Sequence, residues 1–136
     1  MSSKTMEANA KIFDKWNFPN CVGAIDGKHF SIKCPPNSGS IFYNYKNFFS
    51  IVLLTVANGD YQFTYFDVGA YGSEGDGSVF RKCSLAIRQN MLPFPSSYVA
   101  CNPYVFVADD AFPLHRRIMK PFKPTKTTIN HIIHYF

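Results

Sequence analysis

The sequence predicts an α/β domain built on one mixed sheet, and three observations carry that expectation. Three apolar segments follow one another, the first two joined by a turn-rich loop and the last two by a tight hairpin signal, as strands of an antiparallel meander are. A cluster of glycines and a stretch with helical periodicity then interrupt the pattern. After that comes one more short apolar strand, "YVFVADD". Strands on both sides of a helix describe an α/β sheet and not a pure β-sandwich. The 136 residues, 46% of them hydrophobic and 17% aromatic, suffice for one core and argue against disorder.

Residues 1–18 read as a helical lead-in with Phe13 and Trp16 on its apolar side, ending near "NFPN". "CVGAIDGKHFSIKCP" opens apolar, alternates through Phe30 and Ile32 and stops at Pro35-Pro36, which suits one long strand. "PPNSGSIFYNYKN" carries turn residues and reads as a loop. "FFSIVLLTVA" is apolar at every step but a few, so a central strand covered on both faces is expected. "NGD" signals a hairpin, and "YQFTYFDVGA" returns as the third strand. Beyond "GAYGSEGDG", the segment "SVFRKCSLAIRQN" puts Val79, Phe80, Cys83, Ala86 and Ile87 on one helical face and Arg81, Lys82 and Arg88 on another. "MLPFPSS" is a loop, "YVFVADD" the fourth strand, and "PLHRRIMKPF" reads as basic and partly helical.

Fourteen Lys and Arg against nine acids give a net charge of +5, which favours an anionic partner. No uninterrupted apolar run approaches a membrane span, and the N-terminus has no apolar signal core, so no membrane association is expected. Cys21, Cys34, Cys83 and Cys101 are dispersed without a C-x-x-C pair, which disfavours a zinc ribbon and suits reduced, mostly buried thiols.

The acids concentrate at informative places. Asp26 interrupts an apolar strand in "GAIDG", Asp76 stands at the start of the helix, and Asp109 and Asp110 end the fourth strand. Each has an ordinary reading: Asp26, Asp109 and Asp110 as turn residues, Asp76 as a helix N-cap. Together they have another. A crossover helix tends to return the chain beside an existing strand. If the fourth strand lies parallel to the first, Asp26 and Asp109 become neighbours. Converging carboxylates favour a hard cation such as Mg²⁺ or Mn²⁺, and in a basic protein that combination suits phosphodiester chemistry.

Four blocks, "FPNCVGAIDGKHFSIKCP", "NYKNFFSIVLLTV", "DVGAYGSEGDGSVF" and "VADDAFPLHRRIMKPF", resemble in order and spacing those of the Harbinger (PIF-like) transposase-derived nucleases, over roughly residues 15–124. The resemblance implies a ribonuclease H-like fold and a divalent-metal-dependent DDE nuclease, a hydrolase acting on DNA. By the same resemblance Asp26 and Asp109 are the catalytic aspartates and Asp26, Asp76 and Asp109 the metal ligands. Asp110 is a bystander or a group standing behind the metal ligands. Lys28, His115, Arg116 and Arg117 are expected to contact DNA. The family also implies a Myb-like DNA-binding partner protein and location in the nucleus, with the cytoplasm as a further compartment.

The sequence departs from the pattern at several points. Asn58 stands where relatives often carry Asp, and "ADDAFPL" replaces a "G-D-x-x-Y-P-L"-like block at Ala108 and Phe112. The family's third acid is a glutamate on a helix well beyond the second aspartate, and no Asp or Glu follows Asp110 here. The expectation is thus a nuclease domain over residues 19–136, C-terminally truncated, lacking the glutamate helix and reduced or inactive in cleavage. His131 and His134 are read as surface residues and not as substitutes for that acid. The alternative is a domesticated, non-catalytic module that binds DNA or protein.

Overall fold

In the computed structural model, residues 3–85 and 103–121 are described. Helix α1 (Ser3–Asp14) leads into β1 (Cys21–Ser31), β2 (Ser50–Ala57) and β3 (Phe63–Tyr71); α2 (Asp76–Lys82) precedes β4 (Val105–Ala108) and β5 (Ile118–Met119). The five strands form one sheet in the order β3-β2-β1-β4-β5. β1 to β3 run antiparallel, whereas β4 is parallel to β1 and β5 parallel to β4. This mixed α/β architecture is compatible with a ribonuclease H-like nuclease.

The lead-in helix belongs to the core. Met6, Ala10 and Phe13 recur at helical spacing and are buried, and the Asn9 amide donates to the Val22 carbonyl at 3.2 Å. The helix stops because Asn17 adopts a left-handed conformation (φ 56°), an Asn-type C-terminal cap. The Phe18 N–H then reaches back to the Phe13 carbonyl and the Asn17 N–H to that of Asp14. Trp16, past the helix, is 47% exposed, but its indole N–H donates to the Gly59 carbonyl at 3.1 Å and ties the helix end to the β2–β3 hairpin.

That hairpin turns where "NGD" predicts, for a different reason. Asn58, itself buried, accepts the N–H groups of Asp60 and Gln62 on Oδ1, and the left-handed residue is Tyr61 (φ 63°). Glycine at 59 serves close approach, since a Cβ there would stand 2.9 Å from Ile12 Cγ2.

Two expectations need correction. β2 is interior but not the middle strand, and only one face is fully covered: Ser50, Val52, Leu54 and Val56 alternate with half-buried neighbours. The reason lies in β3, whose Phe63, Phe66 and Val68 stand exposed beside those neighbours. Second, "HRRIMK" is not helical within the described residues. The Phe106 N–H donates to the Arg117 carbonyl, and the segment adds β5 to the open edge of β4. Edge pairing wins over local helix preference.

Val79, Phe80 and Cys83 of the predicted helical face are buried against the sheet. The rest of that prediction (Ala86, Ile87, Arg88), the 91–97 loop, Cys101 and the tail from residue 122, with His131 and His134, lie outside the described residues. Cys21, Cys34 and Cys83 are free thiols, with Cys34 exposed and the other two buried. Among the described residues no helix is long and apolar enough to cross a membrane.

Candidate active site

β1 and β4 lie side by side. Their parallel register pairs Ala24 with Val107 and Ile25 with Ala108, so Asp26 and Asp109 are each the next residue on two adjacent strands. A β4 reached directly from β3 along the sheet edge would have kept them apart; the crossover brings the chain to the free side of β1. Both carboxylates are exposed and each is oriented locally. Asp26 Oδ1 accepts the Gly27 N–H at 2.9 Å, and Asp109 Oδ1 accepts the Ala111 N–H at 2.9 Å.

Asp76 approaches from above. It is the first residue of α2, and Gly75, not Asp76, holds the N-cap position. Its side chain therefore makes no capping hydrogen bond and lies over β1 instead. A Cβ on Gly27 would fall 2.4 Å from Asp76 Oδ1, so the glycine is what lets the carboxyl settle there. Asp76 Oδ1 is buried and has no hydrogen-bond partner among the described residues. Burial raises the carboxyl above its ordinary range, and the negative charges of Asp109 and Asp26 raise it further. His29 and Lys46 act in the opposite sense, His29 being the stronger. Three acids and two bases thus share one electrostatic neighbourhood.

Asp110 is turned away. Lys120 pairs with its carboxylate at 3.3 Å and donates to the Asp110 and Phe112 carbonyls at 2.8 and 2.7 Å. One half-buried ammonium thereby fixes the turn that carries Asp109. Of the residues expected on DNA, Lys28 is exposed on β1 with its ammonium 6.0 Å from the Phe30 ring. His115, Arg116 and Arg117 sit elsewhere. Ile118 pairs with Phe106, so they flank the entrance of β4, whereas Asp109 stands at its exit, roughly 10 Å along the strand. Arg117 spends its guanidinium on the Tyr104 carbonyl at 3.2 Å, and its N–H donates to His115 Nδ1.

His29 and Lys46 are the site neighbours that the sequence reading did not single out. His29 Nδ1 bonds Ser50 Oγ at 2.9 Å, and the buried Asn44 donates to the same oxygen at 2.8 Å. The available signal was Asn44 itself, a polar residue amid "IFYNYKNFF" whose burial needs partners.

Among the described residues no group of three His, Cys, Asp or Glu side chains stands close enough to grip a metal ion. The chemistry of the donors nonetheless fits a hard divalent cation: carboxylate oxygens from three elements, one of them buried without a donor.

A mixed sheet with carboxylates at matching steps of adjacent parallel strands is a nuclease-like arrangement. The family model described as DDE superfamily endonuclease matches residues 25–134, and the chain belongs to that family. Membership carries a nuclease or transposase type of function on DNA, and DDE nucleases generally use divalent metal ions. No curated protein and no solved structure matches the chain.

Proposed function

We propose that the chain is a divalent-metal-dependent DNA endonuclease domain of the Harbinger transposase lineage, with Asp26 and Asp109 as its catalytic carboxylates and Asp76 as an additional ligand. The observation that supports this most is the β1–β4 register, which sets two acids 83 positions apart in the chain at matching steps of neighbouring strands. Mg²⁺ or Mn²⁺ would be held by Asp26, Asp109 and Asp76, and would supply an activated water and charge neutralisation at the phosphodiester. The protein's own part is to hold those carboxylates against their mutual repulsion. Asp26 and Asp109 are steadied by backbone N–H groups, and the His29 and Lys46 charges favour the ionised form of Asp76.

Residence in the nucleus and a Myb-like DNA-binding partner belong to the same proposal, as consequences of that lineage. Nicking of supercoiled plasmid with Mg²⁺ or Mn²⁺ tests it, beside Asp26→Asn and Asp109→Asn. The expected result is weak metal-dependent nicking by the wild type that both variants lose. Equal nicking by all three would remove the assigned site.

A further inference from the structure

Residues 43–49 form a small hairpin beside the carboxylates. Tyr43 bridges Phe49, the Asn44 N–H donates to the Phe48 carbonyl, and the Asn47 N–H closes a turn on the Asn44 carbonyl at 3.1 Å. Asn47 takes the left-handed conformation that ends such a turn (φ 66°). Asn44, 3% exposed, is the hub: Oδ1 accepts the Lys46 and Phe48 N–H groups while its amide holds Ser50 Oγ, which in turn bonds His29. The base is packed as tightly. A Cβ on Gly72 would fall 2.3 Å from the Phe42 carbonyl oxygen.

The tip of this rigid hairpin is Tyr45 and Lys46, and Tyr45 is 76% exposed. Folding gains little from placing an aromatic ring in water on a fixed support. The ring is also held in place: His29 meets it edge to face at 5.7 Å between centroids, and the Lys46 ammonium stands 5.5 Å from its centre. His29, which meets the Tyr45 ring, lies two residues along β1 from Gly27, over which the Asp76 carboxyl settles, so the tip borders the acidic site and not a remote surface. An oriented aromatic face beside a cation is the arrangement that takes a base and its phosphate from a single strand.

We infer that the Tyr45–Lys46 tip docks a single DNA strand next to the carboxylates, Tyr45 stacking on an unpaired base and Lys46 contacting the adjoining phosphate. The inference rests on the nuclease reading for its substrate and adds which form of DNA, and which chemical groups, the site's rim engages. Duplex DNA offers no exposed base face to Tyr45, so the tip favours locally opened or single-stranded DNA.

Fluorescence anisotropy with a labelled single-stranded oligonucleotide and the matching duplex, in EDTA and across a salt series, tests it with the full chain. Tyr45→Ala is expected to weaken single-strand binding by about tenfold, while Tyr45→Phe keeps the stacking face and the affinity. Lys46→Ala is expected to flatten the dependence of log affinity on log salt by about 0.7. Circular dichroism melts matching the wild type confirm that these exposed positions leave the fold intact. Unchanged single-strand affinity in Tyr45→Ala, an equal loss on single strand and duplex, or no DNA binding by the wild type each overturns the inference. The nuclease reading is judged separately, by plasmid nicking with Asp26→Asn. Nicking that needs Asp26 but not Tyr45, with full single-strand affinity in Tyr45→Ala, sinks the docking alone; Tyr45-dependent binding without nicking sinks the nuclease alone.

Discussion

Replacing Asp76 with asparagine should make the metal-free protein more stable. Asp76 Oδ1 is buried without a donor, a situation that costs about 1–3 kcal/mol and more when the group is charged. The neutral amide removes the charge while keeping the shape. Two terms limit the gain. A carboxylate in the first turn of α2 benefits from the helix dipole by about 0.3–1 kcal/mol. The attractions of His29 and Lys46 are lost together with the repulsions of Asp109 and Asp26, which act in the opposite direction. The net expectation is about 1 kcal/mol of stabilisation at neutral pH, or about 3–4 °C in Tm for a chain of this size.

The pH dependence has a definite sign. Because burial raises the folded carboxyl, the folded state binds a proton more readily than the unfolded chain. Wild-type stability therefore declines as pH rises from the ordinary carboxylate range through the folded pKa, then levels. The variant lacks this group, so its advantage is full at neutral pH and closes on acidification. Thermal melts by circular dichroism in EDTA, from neutral to mildly acidic buffer, measure both. Mn²⁺ should then reverse the order, since a bound ion stabilises the wild type by about 2.7 kcal/mol at a hundredfold excess over Kd. A variant that melts at or below the wild type in neutral EDTA, or a gap that widens on acidification, refutes the reasoning.

Lys120→Met keeps the aliphatic stem but drops the ammonium that holds two carbonyls of the Asp109 turn, and should cost about 1.5–3 kcal/mol in urea unfolding. Gly27→Ala inserts a methyl 2.4 Å from Asp76 Oδ1 and must displace the carboxyl; the thermal shift induced by Mn²⁺ should then require about 10–100-fold more metal while the melt stays cooperative. Alkylation at neutral pH followed by mass mapping should mark exposed Cys34 and spare Cys21, whose thiol burial pushes up to about 12, until denaturant is added. Asp110→Ala should retain the nicking that Asp109→Ala loses, because Asp110 faces Lys120 and not the site.

The strands of the meander were legible because alternation and turn chemistry are local. "GAIDG" stood out for a related reason: an acid inside an apolar strand is expensive unless the fold uses it. β5 was not legible. "HRRIMK" has no strand pattern of its own, and its extended form depends on the edge that β4 offers through the Phe106–Arg117 hydrogen bond. The half-buried face of β2 escaped the reading too, since "IVLLTV" looks the same whether one face or both are covered. The parts of Asn44, Ser50 and His29 appear only once the 43–49 hairpin closes and brings three polar residues into one hydrogen-bonded chain. Asp76 was correctly placed at the helix start, but the shift of the cap to Gly75, which frees the carboxyl to lie over Gly27, is a matter of one residue of backbone geometry.

The order of the strands also has a temporal meaning. The antiparallel meander ends at Tyr71 and contains Asp26, whereas the strand that delivers Asp109 must travel across the sheet before it docks. Local hairpins close early and distant pairings late. A nascent or partly unfolded chain therefore displays one lone carboxylate on β1, and Asp26 and Asp109 become neighbours only when the long-range β1–β4 pairing forms. The pair of acids is thus a property of the completed sheet and of no smaller piece of it.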